Sequence, residues 1–367
     1  MPTVTRRLSG QISISATASN AEVYIGDNWD LTKTFMIFSL STTTNAGYYE
    51  AAVITGKLYQ DSGTKSAKFE RLSTGVYIEA VIEYQIFQMD EAIVQHGSVS
   101  FTSSDASKIA TITSVDTTKT FIIATSRCDV VSANPQHFLV TAEVTNATTL
   151  TFQRGTASGN CSVEFMCVTI SDINTLQTKT GSIISSGSKQ TDVTITSVDL
   201  TKTITFAHFR TTSGTFQSKH NREAHLTSAT NLRIESYSNI ASDTLYYVVF
   251  VVEFKAGTAY QGYTSQISGD TATTASIGGT VDTTKTIGKL CGACSTWAEA
   301  NATAQNSGDT PHRVTFTDTQ ITATRGKTGV AAYFAWEIME FAPSSNPTIF
   351  DHAVNRGLGR GVLRGLA

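Results

Sequence analysis

One pattern, Asp-x-Thr-Lys-Thr, occurs four times in this 367-residue chain and constrains its fold more than any other feature. The copies are Asp30, Thr32, Lys33, Thr34; Asp116, Thr118, Lys119, Thr120; Asp199, Thr201, Lys202, Thr203; and Asp282, Thr284, Lys285, Thr286. They lie 86, 83 and 83 residues apart. A near-constant period is the signature of a repeat architecture. A unit of about 83 residues is also large enough to hold its own core, unlike the shorter repeats of solenoids.

Other residues keep phase with the motif. A glycine lies 18 to 20 residues upstream of each Asp (Gly10, Gly97, Gly181, Gly262) and is read as heading an alternating stretch. An arginine follows 34 to 43 residues after the Asp (Arg71, Arg154, Arg233, Arg325). Each unit closes on a continuous apolar and aromatic run, at 76–84, 163–168, 246–254 and 332–341. Such runs are too apolar for a one-sided edge strand, so they are expected at the centre of a sheet. Short alternating runs with turn residues every 8–12 positions indicate a small antiparallel sandwich. The expected fold is therefore all-β. Four tandem β-sandwich repeats span residues 1–90, 91–175, 176–256 and 257–342, like beads, followed by a tail at 343–367. Helical periodicity is faint, around 297–302.

The motif itself reads as a turn. An Asp carboxylate can accept hydrogen bonds from backbone N–H groups two or three residues on, and the threonines then start a strand with Lys in solvent. One carboxylate and two hydroxyls fall short of the six to eight oxygens that calcium requires.

Composition narrows the function classes. Charged residues are only 16%, hydrophobic residues 40%, and serine plus threonine about a quarter. Abundant Val, Ile, Thr, Phe and Tyr favour strands over disorder. A net charge of −3 gives no global basic footprint for nucleic acid. No apolar run reaches the roughly 20 residues of a membrane helix, so no membrane insertion is expected. Residues 1–7 lack the apolar core of a signal peptide.

Catalytic signatures are absent from the sequence, and no carboxylate pair can be identified across a cleft, so neither enzyme activity nor a cofactor is expected. Cys291 and Cys294 form one CxxC, which lacks the second ligand pair of a zinc site. The five cysteines (Cys128, Cys161, Cys167, Cys291, Cys294) read as buried or free thiols. His220 and His225 are expected in a polar loop. The tail carries Arg356, Arg360 and Arg364 at four-residue spacing, beside Val354, Leu358, Val362 and Leu366 at the same spacing. On a helix this makes a basic and an aliphatic stripe, although four glycines oppose a free helix. The segment is expected to order against an acidic partner and to act as an anchor, with Arg356, Leu358, Arg360, Val362, Arg364 and Leu366 as its contacts.

A six-stranded antiparallel sandwich of this size, with a central turn and an aromatic-rich closing strand, resembles the H-type lectin fold over about residues 7–342. The tandem arrangement and the Ser/Thr/Gly richness look like virion proteins of tailed bacteriophages, where such modules recur in fibres, collars and capsid decorations. H-type lectin closing strands carry a Trp followed by small apolar residues. Here Trp336 fits, while Phe165, Phe250 and Ala80-Val81 stand near that place in the other units. The resemblance implies a non-enzymatic structural component of the virion. Other virion proteins are its expected partners, with homo-oligomerisation into a closed ring or trimer. The alternative is a multivalent lectin that binds host surface glycans.

Overall fold

The computed structural model describes residues 3–42, 53–71, 78–128, 135–184, 190–212, 222–236, 244–295, 312–326, 328 and 331–343. The 297–302 segment and the anchor residues from Arg356 to Leu366 lie outside them. The fold is all-β, built from repeated small sandwiches, one around each motif copy. The first comprises β1 (Thr3–Ile14), β2 (Asn20–Tyr24), β3 (Thr34–Thr42), β4 (Thr55–Asp61), β5 (Thr64–Glu70) and β6 (Ala80–Met89). The second comprises β7 (Ala92–Phe101), β8 (Ser107–Thr111), β9 (Thr120–Cys128), β10 (Val140–Asn146), β11 (Thr149–Arg154) and β12 (Cys161–Ile170). The third comprises β13 (Ile173–Ile184), β14 (Gln190–Thr194), β15 (Thr203–Thr211), β16 (Arg222–Ser228), β17 (Asn231–Ser236) and β18 (Thr244–Phe254). The fourth comprises β19 (Thr258–Gln266), β20 (Ala272–Ser276), β21 (Thr286–Leu290), β22 (Gly292–Ser295), β23 (His312–Phe316), β24 (Gln320–Arg325) and β25 (Ala332–Glu340), followed by the two-residue β26 (Ala342–Pro343).

Strand order repeats with the motif. In each sandwich one sheet places the closing strand at its centre: β1-β6-β3, β7-β12-β9, β13-β18-β15 and β19-β25-β21. The facing sheet is β2-β5-β4, β8-β11-β10, β14-β17-β16 or β20-β24-β23. The central place expected for the closing runs is thus what the sheets show. A strand flanked on both edges and covered over most of both faces is largely apolar. The outer edge strands β2, β8, β14 and β20 are all five residues long and strictly alternate exposed with half-buried positions.

The phased glycines do not head strands. Each sits mid-strand, opposite an aromatic of the closing strand: Gly10 with Tyr84, Gly97 with Phe165, Gly181 with Tyr247, Gly262 with Trp336. A Cβ there would come 2.7, 2.4, 2.4 and 2.3 Å from the ring it faces. Each ring lies over bare backbone, so the glycine is a packing requirement. The register also corrects the aromatic correspondence, since the counterparts of Trp336 are Tyr84, Phe165 and Tyr247, not Ala80-Val81 or Phe250.

The sandwiches are not separate beads. One apolar cluster takes in residues of the first two, and with them Ile204, Phe250 and Phe254 of the third and Ile287, Met339 and Phe341 of the fourth. The chain also closes on itself, because β1 pairs in parallel with β26 through Thr3↔Ala342 and Val4↔Pro343. Arg7 of β1 donates to the Thr286 carbonyl at 3.2 Å and lies 5.4 Å from the Phe316 ring centre. Each sandwich therefore meets two others, and together they form a ring.

Candidate functional site

The motif forms the same turn four times. Asp30, Asp116, Asp199 and Asp282 each accept the backbone N–H and the hydroxyl of the threonine two residues on, at 2.9–3.0 Å and 2.6 Å. The last threonine of each motif donates its hydroxyl to the Asp carbonyl at 2.6 Å. These hydrogen bonds hold the Asp199 carboxyl at about 2, with Thr201 contributing most and Lys202 next. All four carboxylates are spent on their own loops. The lysines do not simply face solvent: Lys33 reaches Asp90 at 3.8 Å and Lys285 reaches Glu340 at 3.2 Å. The turn also packs on the next sandwich, where His96 Nε2 sits 2.9 Å from the Leu31 carbonyl.

The phased arginines organise loops. Arg71, Arg154 and Arg325 are each 2% exposed, and their guanidinium groups donate to backbone carbonyls. Arg154 reaches those of Thr102, Asp105, His137, Ser158 and Gly159. Arg233 is not their equivalent. It pairs with Asp192 on the surface at 2.9 Å, and register places Ser236 at the corresponding position in the third sandwich.

The joints between sandwiches hold most of the buried polar chemistry. Strand β3, β9, β15 or β21 is the edge of its sheet, and an unpaired edge N–H in an apolar contact is costly. The neighbouring sandwich supplies an acceptor each time, by a different residue. Gln85 grips both the N–H and the carbonyl of Gly288, at 3.1 and 2.6 Å. Met166 Sδ accepts from Met36 N–H at 3.3 Å. Glu337 accepts the N–H and hydroxyl of Thr205, at 2.8 and 2.9 Å. Gln85, Met166 and Glu337 each follow the closing-strand aromatic, and the third sandwich has Val248 there. His208 substitutes for it: its Nε2 accepts Ala124 N–H at 3.3 Å, and its Nδ1 lies 3.4 Å from the Ala142 carbonyl. Those contacts require a neutral ring with the proton on Nδ1, and burial pushes the His208 pKa down to about 4.

A second set of contacts reinforces each joint at the position of His208. Ser39 Oγ accepts Val314 N–H at 2.8 Å, Thr125 Oγ1 accepts Gly56 N–H at 3.0 Å, and the Cys291 carbonyl accepts Ala224 N–H at 3.2 Å. Between the third and fourth sandwiches β16 adds pairing with β22, through Arg222↔Ala293 and Glu223↔Gly292. Pairing on both edges explains why Arg222–Ser228, with His225, is a strand and not the expected polar loop; His220 lies outside the described residues. His225 Nδ1 is 2.8 Å from Glu223 Oε1, and burial raises the Glu223 pKa. Behind this strand Lys289 Nζ lies 2.7 Å from Glu337 and 3.6 Å from the buried thiol of Cys291. Among the described residues Cys128, Cys161, Cys167 and Cys291 are buried, and no cluster of His, Cys, Asp and Glu has metal-site geometry.

Among the described residues, three surface grooves run along the joints. Between the first and second sandwiches a groove of about 480 Å³ is lined by Lys57, Tyr59, Asp61, Lys68 and Glu164. Its counterpart between the second and third measures about 310 Å³, with Glu143, Gln153, Arg210 and Tyr246. Between the third and fourth about 300 Å³ is bounded by His225, Gln261, Tyr263, Trp336 and Glu337. All three include a phased glycine and its aromatic. No helix among the described residues is long and apolar enough to cross a membrane. No protein-family model matches the chain, and no curated protein matches it.

Proposed function

We propose that this chain is a non-enzymatic structural component of a bacteriophage virion, a fibre, collar or capsid-decoration module, joined to other virion proteins by protein–protein contacts. The observation that carries this reading is the use made of buried polar groups. Gln85, His208, Glu337 and Arg154 all bond backbone, within a sandwich or between two, which suits a rigid building block more than a reaction centre. The four short outer edges β2, β8, β14 and β20 are open to contact with further copies or with other virion proteins, and an open edge is a natural template for association. The segment at 343–367 starts within β26, where the ring closes, and its basic, aliphatic part beyond that strand serves as the attachment point. Particle assembly with a chain truncated after Pro343, which keeps β26, tests this: truncated protein should be lost from particles. Incorporation at the normal level refutes the anchor.

A second reading, a multivalent lectin for host attachment, draws on the three joint grooves. Each combines aromatic and hydrogen-bonding side chains, and weak sites repeated on a rigid body gain from effective concentration. Their linings differ, so the sites would select different glycans. A glycan array with no signal above background eliminates this reading.

A further inference from the structure

Strand register sets two cysteines of the second sandwich side by side. Cys128 ends β9 and Cys161 begins β12, and the two are direct cross-strand partners although 33 positions apart in the chain. At the far end of the same ladder the Ile170 N–H donates to the Lys119 carbonyl at 3.1 Å, one rung beyond Thr169↔Thr120. Hydrogen-bonded and non-hydrogen-bonded pairs alternate from that rung, which makes Cys161↔Cys128 a non-hydrogen-bonded pair. Cα atoms of such pairs stand about 4.5 Å apart, with side chains at their closest, and a disulfide spans Cα separations of about 4.4–6.8 Å. Both cysteines belong to the main apolar cluster. Cys167, six residues further along β12, stands opposite Ile122 and not another cysteine.

The other sandwiches fill this place differently. Four residues before the closing-strand aromatic, the first pairs Ala80 with Thr42 and the fourth pairs Ala332 with Ser295. The second pairs thiol with thiol. Cys128 Sγ lies 3.8 Å from the Asn160 carbonyl and Cys161 Sγ 4.0 Å from that of Phe138, and Arg154 interacts electrostatically with both sulfurs. The same arginine holds the carbonyls of His137, Ser158 and Gly159. Gly155, between them, lies so close to the Thr211 carbonyl of the third sandwich that a Cβ has no room. The cysteine pair is therefore at the end of the second sandwich that meets the third.

We propose that Cys128 and Cys161 are a modification site, a thiol pair that a small-molecule disulfide such as oxidised glutathione converts to a cross-strand disulfide. One protein thiolate attacks a sulfur of the reagent, breaks its S–S bond and releases one small thiolate. The second protein thiolate then attacks the first protein sulfur and releases the other. Two protein thiols are oxidised, the reagent is reduced to two small thiols, and the two protons pass to the departing thiolates. Access comes from the position at the strand ends, where fraying of one rung exposes both sulfurs. The bond staples the start of the closing strand to the edge strand β9. This proposal is independent of the virion and lectin readings.

The test treats the folded, reduced full chain with oxidised glutathione, then quenches it and alkylates the remaining thiols in denaturant. Digestion with trypsin and a Glu-specific protease separates Cys161 from Cys167 at Glu164, and mass spectrometry should recover Cys128 linked to Cys161, with Cys167 alkylated. Relative to the reduced chain, the bridge should raise the folding equilibrium constant in denaturant by about tenfold or more. Cys161→Ala and Cys128→Ser, which introduce residue types of the other sandwiches, should each abolish the link and that gain. Near-UV circular dichroism establishes that each variant is folded, and the wild-type peptide map decides if neither is. Full alkylation of Cys128 and Cys161 after oxidation overturns the proposal, as does Cys128 linked to any other cysteine or left carrying glutathione. A link that forms only in the denatured chain also overturns it, and so does an equal gain in the folded variants.

Discussion

His208 offers a direct measure of how one joint of the ring is fastened. Its neutral ring accepts Ala124 N–H and faces the Ala142 carbonyl, so a proton on Nε2 removes the acceptor and leaves a charge in an apolar contact. Its pKa falls from 6.5 to about 4 on folding. The unfolded chain therefore binds the extra proton more readily between those values. The stabilisation is fully present above pH 6.5 and is lost as pH falls toward 4. A shift of this size corresponds to about 3 kcal/mol at most. His208→Gln keeps an acceptor and a donor but does not titrate, so it should lack this component of the pH dependence. Denaturant unfolding of both proteins at several pH values from 7 to 4 gives the comparison; other groups titrate in both and cancel. The wild-type curve should drop relative to the variant by up to about 3 kcal/mol across that window. Parallel curves would refute the reasoning, and so would an NMR titration placing the His208 pKa at or above 6.5.

Three further outcomes follow from the packing and hydrogen bonds. Gly97→Ala places a Cβ 2.4 Å from the Phe165 ring and should cost about 1–3 kcal/mol, read as a lower denaturation midpoint; a neutral effect would show that the ring moves aside freely. Arg154→Met strands five carbonyls, those of Thr102, Asp105, His137, Ser158 and Gly159, and should lose about 3 kcal/mol or more, whereas Arg233→Met, which breaks a surface pair, should change stability by less than about 1 kcal/mol; equal losses in chemical denaturation would contradict the contrast. Gln85→Leu removes both bonds to Gly288 and should cost about 2 kcal/mol, with faster hydrogen exchange in β1 and β21 but not in β8 or β11; uniform acceleration would argue against a local joint.

The sequence made the local chemistry readable and left the assembly hidden. The Asx-turn of the motif rests on contacts within five residues, and residue type alone decides them. The glycine phase was visible too, but its partner was not. Pairing Gly10 with Tyr84 or Gly181 with Tyr247 depends on cross-strand register, which a one-residue slip would invert. Arg233 looked like a member of the arginine series because it lies at a similar distance from its Asp, yet strand pairing puts Ser236 in that place. The joints were least legible. Gln85, Met166, His208 and Glu337 do one job with four chemistries, and Gln85 meets Gly288 across 203 positions, so no repeated letter marked them.

Closure through β1 and β26 has a mechanical consequence. Because the two strands are parallel, a pull applied to the chain before Thr3 and after Pro343 drags them past each other lengthwise. Their hydrogen bonds then bear the load together instead of opening one at a time. Among the described residues two pairs share that load, with Arg7 and Gln85 as the next resistance. Under tension this junction should slip first, and the ring should uncoil into a chain of sandwiches before any of their central strands is extracted.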